Sequence, residues 1–179
     1  YDIFELLLSN EKIDVNTQLI KTNKQKSFEE IKSALFLAVE ESKENMVQCL
    51  LTKPNIDVNF ESTFTSSFQI DKLNVLYKAC EIENINMVKL LLKHPLTDIN
   101  SILFNKSFES KKITVEKHIP LLHYMIQLKN KEILQLLLEN SKINTNITSV
   151  TIKDTELNRT KDVKNTIQIA CNQKSIEIF

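Results

Sequence analysis

A tetrapeptide similar to Ile-Asp-Val-Asn recurs along this chain of 179 residues, each time after a leucine-rich run and a short polar turn. The four copies, with their leading leucines, occupy residues 6–16, 50–59, 90–100 and 136–146. The aspartate position falls at Asp14, Asp57, Asp98 and Asn144, with spacings of 43, 41 and 46 residues. Self-similarity at a period of about 20–50 residues is typical of proteins that stack one structural unit repeatedly. The chain is therefore predicted to be a repeat array.

A second block precedes three of these turns and occurs again near residue 179. Its copies align without a gap at residues 33–51, 74–92, 120–138 and 165–179. Apolar residues recur within each block at three- and four-residue steps, the spacing that places them on one face of a helix. A polar break such as Glu41-Ser42-Lys43-Glu44 divides each block, which favours two short helices joined by a tight turn. We predict helices at about 34–41 and 44–53, 75–82 and 85–94, and 121–128 and 131–140.

These blocks resemble the ankyrin repeat. The family's Thr-Pro-Leu-His-x-Ala opening is similar to Ser33–Ala38 and Asn74–Ala79, and its Leu-His pair recurs at Leu122-His123. The second helix of the family is similar to residues 86–92 and 132–138. The resemblance covers nearly the whole chain and implies that Asp14, Asp57 and Asp98 lie in the turn after each helix pair. There we expect their side chains to cap backbone N–H groups.

The resemblance implies an all-α fold, an ankyrin-like solenoid of stacked antiparallel helix pairs with extended, hairpin-like finger loops. One pair cannot bury its own apolar face, so neighbours must stack to complete a core. Repeats are expected at about 33–59, 74–100 and 120–146, with partial repeats at 1–16 and 165–179. Residues 1–179 are accordingly expected to form a single repeat array that is an excerpt of a longer chain.

The chain contains no glycine. This absence excludes glycine-rich phosphate loops and the GxSxG nucleophile elbow. It also removes the glycine that the family places between its paired helices, where this chain has Ser42, Glu83, Lys129 and Lys174. Another residue must then adopt a positive φ, unless the turn is of a different kind. Asparagine tolerates that conformation best, so Asn84 and Asn130 are the candidates.

Long connectors at residues 17–32, 60–73, 101–119 and 147–164 extend the period beyond the usual 33 or so. They are rich in Thr, Ser, Phe, Ile and Lys, which predicts irregular extended hairpins. Disorder is the alternative, and the apolar residues Phe60, Phe64, Phe68 and Ile70 argue against it. A Ser-Phe-Glu/Gln motif recurs in three connectors, at residues 27–29, 67–69 and 107–109.

No pattern predicts catalysis, a metal site or a cofactor. The three histidines, His94, His118 and His123, lack the i, i+4 spacing of a helical zinc pair. The resemblance gives His123 a structural role, in hydrogen bonds between neighbouring repeats. Paired carboxylates such as Glu40-Glu41 are interpreted as a solvated helix face rather than as an acid–base pair. We therefore expect a protein that is not an enzyme.

Charge, cysteine content and hydropathy indicate the cellular compartment and limit the classes of partner. The chain has 23 basic and 23 acidic residues, which removes a global attraction for nucleic acid. The cysteines Cys49, Cys80 and Cys171 form no CxxC pair and lie in apolar helical patterns, which predicts a reduced, cytoplasmic protein. No run reaches about 18 apolar residues, so no membrane partner is expected.

The resemblance implies a protein-binding scaffold or adaptor whose unidentified partner lies on the concave face. That face is built from the fingers and the exposed ends of the first helices. By position, the helix contribution is Glu40, Glu41, Glu81, Ile82, Gln127, Leu128, Asn172 and Gln173. The fingers contribute Phe28, Phe68 and Phe108 if their rings face outward; the alternative is that the rings pack onto a neighbouring finger.

The glutamates predict a mildly acidic concave face and a neutral or basic partner segment. Flanking repeats of the same chain are expected to cover the two ends of the array. Two alternatives remain open: a repeat region of a larger enzyme or channel, and a nucleic-acid-associated repeat. The second would use the basic and aromatic residues of one connector, Phe104, Lys106, Phe108, Lys111, Lys112, Lys117 and His118.

Overall fold

Helix pairs alternate with strand pairs along the chain. A computed structural model describes residues 3–23, 25, 27–110, 113–155 and 158–172. The helices are α1 (Ile3–Leu8), α2 (Ala34–Glu40), α3 (Glu44–Leu51), α4 (Val75–Glu81), α5 (Ile85–Lys93), α6 (Leu121–Leu128), α7 (Lys131–Leu138) and α8 (Thr166–Asn172). The strands are β1 (Gln18–Asn23), β2 (Phe28–Ser33), β3 (Ser62–Thr65), β4 (Gln69–Leu73), β5 (Ile102–Ser110), β6 (Ile113–Pro120), β7 (Thr148–Thr155) and β8 (Asn158–Asn165). The six predicted helices are confirmed, to within two residues at each end.

The connectors form one antiparallel sheet, so the prediction of an all-α fold is wrong. Each connector folds into a hairpin, and the hairpins join edge to edge into an eight-stranded sheet whose strand order follows the sequence. The hairpin interpretation is thereby confirmed over disorder for the residues that the structure describes. An isolated hairpin leaves two edges of unpaired N–H and C=O groups, and the hairpin of the adjacent repeat lies close enough to pair with them.

The sheet has an inner face toward the helices and an outer face away from them. Residues directly opposite each other on antiparallel strands lie on the same face. One continuous row comprises Glu30, Phe64, Asp71, Asn105, Lys117, Thr151 and Asp162. This row belongs to the inner face, because the ring of Phe64 lies 5.7 Å from the ring of Phe36 on α2. The adjacent row, which includes Lys72, Phe104 and His118, belongs to the outer face.

The helices stack in two layers beside the sheet. The first helix of each pair contacts the first helix of a neighbouring pair, as α2 does with α4 and α6 with α8, while α3, α5 and α7 make a second row. Equivalent leucines Leu35, Leu76 and Leu122 are at most 2% exposed, and burying each contributes about 1.5–3 kcal/mol. Neighbouring pairs supply that burial to one another. None of the described helices is both long and apolar enough to cross a membrane.

The turns inside the helix pairs use residues other than those predicted. Positive φ angles of 53°, 55° and 59° occur at Ser42, Glu83 and Lys129, the positions where the family has glycine. The prediction that Asn84 and Asn130 take this conformation is wrong. Both have negative φ and cap the next helix, because their side-chain oxygens accept hydrogen bonds from backbone N–H groups three residues ahead. Lys174 lies outside the described residues.

An asparagine ladder joins consecutive repeats at the tetrapeptide turns. The side-chain amide of Asn59 donates to the Leu96 carbonyl at 2.7 Å, and its oxygen accepts from the Asp98 N–H at 2.8 Å. Asn16 and Asn100 make the same two bonds to the repeat that follows each of them. The expected capping by Asp14, Asp57 and Asp98 is confirmed, since each carboxylate accepts from the N–H two residues ahead.

Candidate functional site

The inner face of the sheet meets the C-terminal ends of the first helices. We call this junction the groove; it is bounded by β2 to β6 on one side and by α2, α4 and α6 on the other. Its clearest cleft has a volume of about 320 Å³. The lining comes from three strands and one helix: Phe64, Gln69, Asp71, Leu73, Tyr77, Lys78, Glu81, Leu103 and Asn105. The cleft therefore combines apolar walls with charged groups.

Two of the predicted glutamates lie in the groove within one charge network. Lys78 Nζ lies 2.8 Å from Glu81 Oε2 and 4.0 Å from Glu40 Oε1. Glu40 also pairs with Lys32 on β2, where Nζ lies 2.8 Å from Oε2. Lysines thus join the glutamates of adjacent repeats, and their ammonium groups offset part of the acidic charge expected there.

A tyrosine pair spans the repeats at the base of the groove. The rings of Tyr77 on α4 and Tyr124 on α6 lie 4.8 Å apart. Tyr77 is 1% exposed, and burial raises the pKa of its phenol well above the usual range. Burial also raises the pKa of Tyr124, and the negative charge of the neighbouring Glu81 raises it further. Both phenols are therefore neutral.

The other predicted helix residues are dispersed along the edge of the groove. Glu41, Gln127, Leu128 and Asn172 are exposed at the ends of α2, α6 and α8. Ile82, which follows α4, is half-buried and packs against the hydrophobic core. Gln173 lies outside the described residues. Only Glu40 and Glu81, among the described members of the predicted set, are linked through a common partner.

The three phenylalanines of the shared motif occupy different places. Phe28 begins β2, whereas Phe68 lies in the turn between β3 and β4 and is 74% exposed. Phe108 lies on β5, on the outer face and half-buried, with Lys106 Nζ 5.9 Å from its ring centroid. Its N–H donates to the carbonyl of Phe68 at 2.8 Å. The three rings differ in exposure and do not lie on one side of the sheet, so the shared motif does not mark a common surface.

The groove contains aromatic and acidic residues that sequence reasoning did not assign to it, namely Phe64, Asp71, Tyr77 and Tyr124. Tyr77 occupies the helical position that corresponds to His123, and helix periodicity alone places it in the core. Phe64 and Asp71 are opposite each other across β3 and β4. Strand register could have identified them, but it becomes readable only after the pairing between fingers is known.

His123 has a structural role, as predicted. It is fully buried, and its Nε2 lies 2.9 Å from Thr166 Oγ1 at the start of α8. Burial lowers the pKa of its imidazole. Across the described ranges there is no cluster of three or more His, Cys, Asp or Glu residues that could hold a metal ion.

Comparison with known proteins identifies the family of the repeats. Residues 35–149 match the family model for ankyrin repeats in three copies. No curated protein and no solved structure matches the chain. Ankyrin repeats are in general modules for protein–protein interaction and are typically non-catalytic. The match spans more than half of the sequence and covers α2 to α7 apart from Ala34, and the chain therefore belongs to the ankyrin repeat family.

Proposed function

We propose that this chain is a protein-binding scaffold or adaptor module without catalytic activity of its own. Its partner lies in the groove. The observation that carries this proposal is the sheet: pairing between fingers turns separate loops into one surface that faces the first helices. A junction bounded by both layers suits an extended or irregular polypeptide, because successive repeats present side chains at regular intervals along it.

The charge of the groove favours a neutral or basic partner segment. Four acidic residues of β2, β4, α2 and α4 face the groove, and Lys32 and Lys78 pair with three of them. The acidic residues are Glu30, Glu40, Asp71 and Glu81. Complementary charge in a partner accelerates association and sets its register more than it adds affinity.

Site-specific photo-cross-linking tests the placement of the partner. A photoreactive residue would replace Gln127, at the groove end of α6, in the full-length protein. Gln135, exposed on α7, is the matched control. We expect specific polypeptide cross-links from position 127 and few from position 135. Equal cross-linking from both positions, or cross-links confined to α7, would place the partner elsewhere.

Charge reversal tests the groove once that partner is in hand. The triple variant Glu40→Lys, Glu41→Lys, Glu81→Lys should weaken affinity by about tenfold or more and reduce its dependence on salt, because it replaces attraction with repulsion. Binding would be measured by calorimetry across salt concentrations. An unchanged affinity would show that the glutamates do not face the partner.

A second candidate function is nucleic-acid binding by the outer face of the sheet. Lys72 Nζ lies 6.0 Å from the ring centroid of Phe104, and that ring packs 5.3 Å from His118. Basic and aromatic groups together suit single-stranded nucleic acid. Glu116, however, contacts both Lys106 and His118 and dilutes the positive charge. A steep loss of oligonucleotide binding with salt would favour this function over protein binding.

We also propose that the protein resides in a reducing compartment such as the cytoplasm. The three cysteines are unpaired, and burial raises the pKa of Cys80 to about 12. A thiol in that state is a poor nucleophile and behaves as a small apolar core residue. Whether the array belongs to a larger enzyme or channel would be answered by the full open reading frame.

A further inference from the structure

One lysine of this chain shows how the groove binds an ammonium group. Lys32 on β2 is only 5% exposed, and its Nζ lies 2.8 Å from Glu40 Oε2 and 3.5 Å from Glu30 Oε2. The same Nζ lies 4.9 Å from the ring centroid of Phe64 on the next finger. Two carboxylates and an aromatic face thus surround one cation, an arrangement in which charge pairing and cation–π attraction act together.

The next repeat keeps the two carboxylates but changes the lysine. Ser33 and Asn74 are the equivalent caps of α2 and α4. Counting from these caps, Glu30 corresponds to Asp71, Glu40 to Glu81, and Lys32 to Leu73. Leu73 is 7% exposed and supplies no charge. The two carboxylates do not recur together in the next two repeats. The equivalent positions there hold Lys117 with Gln127 in one repeat and Asp162 with Asn172 in the other.

The carboxylate of Asp71 is fixed in place by neutral donors. The side-chain amides of Gln69 and Asn105 each donate to one of its oxygens at 2.6 Å. No ion pair of Asp71 with a cation is formed within the described part of the chain. A carboxylate has about four acceptor sites, so two remain for a further donor. Fixed orientation lowers the entropy lost when such a donor binds.

The walls of the cleft suit the stem of a long basic side chain. Phe64, Leu103 and Tyr77 line it beside Asp71 and Glu81. Its volume of about 320 Å³ lies at the lower end of the range of about 300–1,000 Å³ for small-molecule pockets. One side chain of a larger partner fits this space better than a free cofactor does. Long basic side chains bury their apolar stems and leave the charge at the tip.

We propose that this cleft binds one arginine or lysine side chain of the partner polypeptide, with its charge between Asp71 and Glu81 and its stem against the aromatic wall. The proposal rests on protein binding in the groove and specifies the chemistry of the anchor. The partner's cation takes in this repeat the place that Lys32 takes in the preceding one. Lys78 already pairs with Glu81, so Asp71 contributes most of the unneutralised charge.

Peptide pools with one fixed central residue test this anchor. The full chain would be titrated with labelled, otherwise degenerate peptides whose central residue is arginine, citrulline or glutamate. Citrulline keeps the shape of arginine without its charge. We expect the arginine pool to bind about tenfold more tightly than the citrulline pool, the effect of one charge-assisted hydrogen bond. Asp71→Asn should abolish that preference, whereas Glu132→Gln on α7 is the matched control and should retain it.

A designed lysine provides a second test. Leu73→Lys recreates the internal cation of the preceding repeat and should abolish the preference for arginine while the chain remains folded by circular dichroism. Equal binding of the arginine and citrulline pools, or a preference that survives Asp71→Asn, would overturn the anchor. In either case, cross-linking from position 127 would still support protein binding in the groove. Absence of binding by every pool would overturn the anchor as well.

Discussion

At the residue scale, the chain resolves its lack of glycine by dividing two tasks between adjacent residues. Glu83 and Lys129 adopt the left-handed conformation, and the asparagine after each of them caps the next helix. Left-handed backbone costs a residue other than glycine about 1–2 kcal/mol. A capping side chain contributes about 1 kcal/mol. Asparagine therefore occupies the capping position, where its side chain forms a hydrogen bond, and the residue before it adopts the strained left-handed conformation.

Lys129→Gly should stabilise the protein by up to about 1 kcal/mol. The change relieves about 1–2 kcal/mol of left-handed strain, while the greater freedom of glycine in the unfolded chain offsets about 0.5–1 kcal/mol. Urea unfolding measures the difference. Lys89→Gly, at an exposed position inside α5, is the control and should destabilise by about 1 kcal/mol. Equal losses in the two variants would refute the strain at Lys129.

The asparagine ladder predicts a second difference between matched variants. Asn59→Ala removes two hydrogen bonds to the next repeat, and the free energy of unfolding should fall by about 1–2 kcal/mol. Asn146 occupies the equivalent turn, but its side chain bonds to nothing in the part of the chain that the structure describes. Asn146→Ala should therefore change stability by less than about 0.5 kcal/mol. If both variants lose the same amount in urea unfolding, the ladder adds nothing between repeats.

At the element scale, single side chains fix the spacing between neighbouring first helices. His123 on α6 reaches Thr166 at the start of α8, and the hydroxyl of Thr166 donates to the Thr145 carbonyl at 2.6 Å. This chain of contacts ties two repeats and the turn between them. Because the imidazole is buried and neutral, the junction is sensitive to protonation.

Acid should weaken this junction through His123. Its pKa is lowered in the folded protein, so the unfolded chain binds the proton more readily. Its contribution to stability is therefore complete above the unfolded pKa, near 6.5, and is lost as the pH falls below that value. Urea unfolding at neutral and mildly acidic pH measures the loss. His123→Gln should reduce this pH dependence; an unchanged slope in that variant would contradict the assignment.

Helices were predictable from the sequence because their signals are local. The period of three to four residues, the polar breaks and the caps all lie within about twenty residues of each helix. The strands carry weaker signals, since both faces of β5 hold apolar and polar residues alike: Phe104 and Lys106 on one, Leu103 and Asn105 on the other. Pairing between fingers joins residues that are 32 to 42 apart in sequence, and nothing local indicates it.

At the scale of the whole molecule, the sheet determines which predicted site residues come together. Glu40 and Glu81 were predictable because they end the first helices, whose positions follow from the repeat. Phe64 and Asp71 were not, because they enter the groove only through the register of β3 with β2 and β4. If the fingers moved independently, each repeat would present its own loop, and the groove would have no continuous floor.

Amide hydrogen exchange measured by NMR tests this continuous sheet most directly. Pairing between fingers occurs at β2–β3, β4–β5 and β6–β7; one such bond runs from the Phe108 N–H to the Phe68 carbonyl. We predict that amides bonded between fingers exchange about as slowly as amides bonded within each hairpin. Protection confined to the hairpins, with the amides between fingers exchanging as freely as loops, would contradict one sheet and the groove it forms.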